Sequence, residues 1–346
     1  MNRLALFTAL LVFSLLSGCA EKPAIKYVWP PPPEQPRMEW IGNFYSEDDL
    51  KASQKYQGVK KFILGDIKNR PMTSPFGISS DGEGKVYVSD IHKHNVHIFD
   101  MDKGTVDALA DDGVFDTPIG VAIDTNKNIY IADGVKNMVM VFSPEGNPLF
   151  SFGKDIFVKP AYIDVDDSLG RIYISDSKGH TIRVFDMQGE YLFDIGKGGN
   201  EPGEFHTPQG VAVAPNGNLY VADMFHAKIQ YFSPEGEYLG EFGERGDQIN
   251  QFEHPKDLAF DTEGHLYIID SKSARLALYT QEGRILLALG SGGHSGHALE
   301  LATPKSIFID NNDRIYISEM TNRRFTVWQY YSEAYLQRQE EGTDNN

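Results

Sequence analysis

A proline, an apolar run and an apolar-Tyr-apolar-small-acid phrase recur six times along this chain, and repetition at near-constant spacing constrains the fold before any single residue is interpreted. The prolines are Pro75, Pro118, Pro160, Pro208, Pro255 and Pro304; the tyrosines are Tyr87, Tyr130, Tyr173, Tyr220, Tyr267 and Tyr316, at spacings of 43, 43, 47, 47 and 49 residues. Each copy then reaches an acid (Asp90, Asp133, Asp176, Asp223, Asp270 or Glu319), and another apolar run follows. Periods of this length holding several short strands read as propeller blades, so six copies predict six blades.

The second copy shows the unit. Residues 118–124 are an apolar run, Thr125-Asn-Lys-Asn128 is a turn, and three further runs cover 129–133, 139–142 and 148–152. These β-branched and aromatic runs, bounded by Gly, Pro, Asn and Asp, make four strands, a to d. Their near-continuous apolar character fits sheets covered on both faces by neighbouring blades. The sixth copy has strands a, b and c but no d. Met38-Glu-Trp-Ile-Gly-Asn-Phe44 resembles the d strands of other copies, such as Tyr238-Leu-Gly-Glu-Phe242. It is predicted to pair with the last strand c, covering an open edge and latching the ring. The expected fold is all-β: a six-bladed β-propeller of four-stranded antiparallel blades over residues 38–330, with a short helix over about 46–61.

The phrase Pro-x-Gly-Val-Ala-Val-Ala, then Leu-Tyr-Val-Ala-Asp, then Ile-x-x-Phe, from Pro208 to Phe232, resembles the NHL repeat. The resemblance extends over about residues 72–330. It implies a six-bladed propeller and leaves function open, since such propellers include RNA binders, protein-binding modules, extracellular sensors and a peptide-amidating lyase.

Residues 1–18 read as an export signal: Arg3 is a small positive region, and the apolar stretch after it is short for a membrane span. Leu16-Ser-Gly-Cys19 resembles a bacterial lipobox, which implies lipidation at Cys19, the only cysteine. Ala20 in place of aspartate then points to the outer membrane. The expected location is the bacterial cell envelope, attached through lipid. Residues 19–37, with Trp29-Pro-Pro-Pro-Pro33, are expected to be an extended tether. Residues 331–346 form a polar tail with a short helix. With 32 Lys and Arg against 49 Asp and Glu, a net charge of −17 argues against nucleic acid and against electrostatic attachment to anionic lipid.

Loops on one propeller face join d to a and b to c. The five residues after each b-strand acid hold Lys93, Lys136, Lys178, Lys228, Lys272, Arg275, Arg323 and Arg324 and no acid. They serve either blade packing or a face for an anionic or polar ligand. The b-strand acids themselves read as caps on loop amides. A sharper filter asks where one copy departs from the others. Two residues after the proline stand Gly77, Gly120, Tyr162, Gly210, Asp257 and Ser306; one residue after it stand Phe76, Ile119, Ala161, Gln209, Lys256 and Lys305. Tyr162, Gln209, Lys256, Asp257 and Lys305, with Arg323, are therefore the candidate ligand-binding residues, lining a cavity at the channel mouth.

His92, His94 and His97 straddle a loop, where alternate residues point apart, so a shared metal is not expected. Amidating lyases of this fold group place a zinc-binding histidine directly after a blade proline, and no blade proline here is followed by His. There is also no Gly-x-Ser-x-Gly elbow or Walker loop. The sequence thus predicts a monomeric, non-catalytic binding or scaffold module without a cofactor, recognising a protein or extracellular polymer on the loop face. The rival is an envelope enzyme, a lyase or lactonase-like hydrolase with a metal in the channel.

Overall fold

The computed structural model describes residues 26–50, 71–294 and 297–343. The expected export signal, Cys19, residues 20–25 of the expected tether and residues 51–61 of the expected helix lie outside the described residues. Six antiparallel sheets follow one another, the first running Pro75–Ser80, Lys85–Asp90, Asn95–Asp100 and Thr105–Ala108 as strands a to d. Strand a of each blade packs on strand a of the next, and that of blade six (Pro304–Ile309) returns to blade one. The ring is closed, with the a strands around its axis.

Burial grades outward as the patterning requires. The b strands Ile129–Asp133, Leu219–Asp223 and Leu266–Asp270 are buried at every position, because neighbouring blades cover both faces. The d strand Pro148–Phe152 is exposed at all but its last residue. Each fully buried Val, Leu or Ile contributes about 1.5–3 kcal/mol relative to exposure, so the b strands carry most of the stabilisation per residue.

Met38–Phe44 completes blade six, pairing antiparallel with Arg324–Tyr330 from Met38 opposite Tyr330 to Phe44 opposite Phe325. The Phe44 and Phe325 rings stack at 5.0 Å. The Pro-rich stretch differs from the extended tether. Val28–Trp29 folds back on Met38 and Glu39 as a fifth strand of this sheet. The reason is aromatic: Tyr27 packs edge-on against Trp40 at 5.6 Å, and Trp29 packs on the core of blades five and six. Of the expected helix, the described part is a 3-10 turn, Glu47–Asp49, capped by Ser46. The C-terminal helix runs Glu333–Thr343.

The acids that end the b strands are buried staples. The carboxylate of Asp133 accepts the amides of Asp116 and Thr117 before strand a, and of Val135 and Lys136 in the b-to-c loop. Asp90 and Asp270 do the same in blades one and five. Burial alone would raise the Asp90 carboxyl, but His97 and these amides pull it down to about 2. The d-to-a and b-to-c loops are thereby tied together on one face. The glycine two residues after the proline has a different cause: a Cβ at Gly77 would sit 2.2 Å from the Ile119 carbonyl oxygen, so adjacent a strands approach too closely for a side chain.

Candidate binding site at the channel mouth

Where that glycine is replaced, the channel changes character. Tyr162 of blade three reaches across to blade six, its hydroxyl donating to the Lys305 carbonyl at 2.7 Å. Blades three apart are diametrically opposed in a six-blade ring, so this side chain spans the channel. Phe76 of blade one lies beside it at 6.0 Å between ring centroids. The two rings floor the mouth.

Two lysines stand on this floor. Lys256 Nζ is 5.5 Å from the Phe76 centroid and 5.6 Å from that of Tyr162, and Lys305 Nζ is 5.7 Å from that of Phe76. Cation–π attraction is strongest where water is excluded. Lys256 also donates to Gln209 Oε1, and Gln209 Nε2 is held by the Pro208 carbonyl at 3.1 Å. Among the described residues no carboxylate oxygen lies within 4 Å of either ammonium. Burial, then repulsion from Lys305, lowers the Lys256 amine to about 7; burial also lowers Lys305. Both positive charges are short of counter-charge.

Asp257 does not neutralise them. Its Oδ2 accepts the Ser306 hydroxyl at 2.7 Å and the Ile307 amide at 3.0 Å, and its Oδ1 the Leu258 amide at 3.0 Å, so it bridges blade five to blade six. Burial raises it to about 7. Five of the six candidates therefore converge. Arg323 does not join them: it is exposed in the last b-to-c loop, with left-handed φ of 55°, and the buried neighbour Arg324 holds Glu319 at 2.6 Å.

Most of the basic loop residues are also spoken for. Lys228 pairs with Glu241 at 2.7 Å, Lys272 with Glu253 at 2.8 Å and Lys136 with Asp116 at 4.0 Å. Lys93, Lys178 and Arg323 are exposed without an ion pair among the described residues. The amines whose positive charge is least supported by water or carboxylate are Lys256 and Lys305 at the mouth. Beside it on the loop face, His206 contacts His180, His226 and the exposed Phe225, with centroids 5.9, 5.7 and 5.1 Å away.

Asp164 is a further channel acid that comparing the copies at only two positions misses. Four residues after the blade prolines stand Ser79, Ala122, Asp164, Ala212, Ala259 and Phe308, so the same filter applied one step deeper finds it. Asp164 Oδ2 accepts the Val213 amide of blade four at 2.8 Å, and burial raises the carboxyl to about 6. The histidines of the first b-to-c loop diverge, His97 being buried against Asp90 at 3.6 Å and His92 exposed. Among the described residues, metal-type ligand atoms converge only outside the channel, at Asp261, Glu263 and His265. There Asp261 already accepts the Tyr267 hydroxyl at 3.1 Å, and Glu263 the Tyr330 hydroxyl at 3.0 Å.

Residues 157–262 match a family described as a 6-bladed beta-propeller. No curated protein matches the chain. Among solved structures, a protein of unknown function from Bacteroides thetaiotaomicron is similar with a TM-score of 0.64 at 16% identity, over 76% of this chain and 70% of that one. Virginiamycin B lyase from Staphylococcus aureus is similar at 0.56 and 13% identity, over 74% and 95%. A gluconolactonase from Xanthomonas campestris is similar at 0.57 and 16% identity, over 75% and 86%. At such identities the likeness is one of fold: this chain is a six-bladed β-propeller, and its neighbours include both enzymes and a protein of unknown function.

Proposed function

We propose that this propeller is a non-catalytic binding module of a bacterial envelope, attached through lipid at Cys19, that takes an anionic group of a protein or extracellular polymer at its channel mouth. One observation carries the reading: Lys256 and Lys305 share the Phe76 face, with no carboxylate within 4 Å among the described residues. An ammonium in partly desolvated surroundings is costly unless an opposite charge meets it. An incoming carboxylate or sulfate supplies that charge and restores the proton to Lys256. The NHL-type resemblance and the exposed Phe225 and His206 beside the mouth fit a broad docking face.

The test is binding of polyglutamate and sulfated dextran to the full chain, with neutral dextran as control. Native protein should retain at least one anionic polymer, and Lys256→Gln/Lys305→Gln should release it while keeping the native circular dichroism spectrum. Equal retention by the double variant would remove the mouth from the account. The enzyme reading draws on the neighbours described as a lyase and a gluconolactonase. Stoichiometric channel metal in the purified protein, with turnover lost on chelation, would favour it.

A further inference from the structure

Below the Tyr162 floor the channel opens again, with the opposite electrostatic sign. A cavity of about 360 Å³ runs from Tyr162 and Asp257 down to the a-to-b turns at Asp167 and Gly217, and none of the mouth lysines lines it. That volume lies within the usual range for small-ligand sites, about 300–1,000 Å³. Its walls carry Asp164, Asp166, Asp167 and Asp257, and not one Lys, Arg or His among the described residues. The remaining wall is mixed, with Ser79, Ser168 and Ser306 among Ile, Val, Ala and Leu side chains and with Phe260 and Phe308 half-buried at its side.

One further atom points to a missing partner. Ser79 is wholly buried, lines the cavity, and its Oγ has no hydrogen-bond partner. A buried polar atom left unpaired costs about 1–3 kcal/mol, so such atoms are uncommon in native proteins unless something binds them. The channel acids do not converge as metal ligands do: no three of their oxygens lie within 4.8 Å of one another. Dispersed carboxyl groups on a wall that also carries serine hydroxyls and aliphatic and aromatic side chains suit an elongated organic cation rather than a point charge.

We infer that this lower compartment is a second binding site, for a small organic ammonium compound entering from the a-to-b turn face. Its ammonium group donates to Asp164, its chain lies against Phe260 and Phe308, and Ser79 Oγ accepts or donates a further hydrogen bond. Tyr162 separates it from the mouth lysines, while Tyr162 and Asp257 form part of both walls.

The experiment is calorimetric titration of the full chain with n-butylammonium and putrescine, with butyrate and calcium chloride as controls. At least one amine should bind and butyrate should not. Asp164→Asn, which keeps an acceptor for the Val213 amide, should weaken amine binding about tenfold, the loss of one charge-assisted hydrogen bond. Ser79→Ala removes a hydroxyl that bonds to nothing in the protein, so it should fold normally and bind the amine several-fold more weakly. Lys178→Gln, in an exposed loop on the opposite face, should leave amine affinity unchanged. Failure of both amines to bind native protein would overturn the inference, as would full affinity in both cavity variants. Tighter binding of butyrate or calcium than of either amine would overturn it too.

Discussion

Asp90, where the loops meet, and Asp164 and Asp257, at the channel axis, are buried carboxyls that behave oppositely. The acids ending the b strands occur in every blade and face the loops; in blades one, two, three and five they accept backbone amides on two sides, and Asp90 is held down to about 2, whereas Glu319 of blade six accepts only the Ala302 backbone amide and is raised by burial. Asp164 and Asp257 occur once each, face the channel and are pushed up to about 6 and about 7 by burial. Both sets accept amide bonds. The difference is solvation balance: enough donors outweigh burial at Asp90, while at the axis burial wins. Repetition marks groups that hold the blade, and departure from repetition marks groups whose charge is unsettled and open to a ligand.

The largest expected effect lies on the scaffold side. Deleting residues 38–44 removes the last d strand and exposes the edge of Arg324–Tyr330, so the protein should aggregate or lose its cooperative thermal transition. Deleting residues 26–29 removes only the outer fifth strand and should lower the melting temperature by a few degrees. Equal melting curves for the two truncations would contradict closure by the latch.

Next comes a direct contrast between the acids. Asp133→Ala strands four buried or half-buried amides and should cost roughly 3 kcal/mol or more in urea denaturation. Asp257→Asn should differ in sign as pH rises. Unfolded, this carboxyl ionises near its ordinary value of about 4; folded, it holds its proton to about 7. Native stability therefore falls as pH climbs through that window, by about 1.4 kcal/mol for each pH unit climbed, and stays low above it. The asparagine variant should lack this decline. A wild-type stability that rises between pH 4 and 7 where that of the asparagine variant does not would break the contrast. Asp90 runs the other way, its contribution disappearing as pH falls toward 2.

The smallest effect on stability belongs to the mouth. Lys256→Gln/Lys305→Gln removes two poorly solvated charges and should shift unfolding by no more than about 1 kcal/mol in either direction, while abolishing anionic polymer binding. A large destabilisation would make the lysines scaffold residues instead.

The ring itself was legible in the sequence because a blade repeats its chemistry: proline, buried tyrosine and capping acid recur at fixed offsets, and the absent sixth d strand directed attention to Met38–Phe44. The convergence of Tyr162, Gln209, Lys256, Asp257 and Lys305 followed from the same register. Other features depend on pairing in space. Nothing local tells that Lys272 meets Glu253 across two loops, or that Lys256 meets no carboxylate. The folding back of Val28–Trp29 was hidden by the prolines beside it, which suggest extension, whereas Tyr27 and Trp29 supply the surface that packs. Asp164 was readable but lay one alternate position deeper than the residues compared.

The most direct measurement is the titration of Lys256 itself, followed by NMR of the ε-amine in protein with labelled lysine, with and without saturating polyglutamate or sulfated dextran. The free protein should show this amine titrating near 7, and a bound anion should move it upward, since binding that prefers the charged form must raise the pKa by linkage. A Lys256 amine that titrates near 10 in the free protein, or one whose titration neither polymer moves, would contradict the account of the mouth.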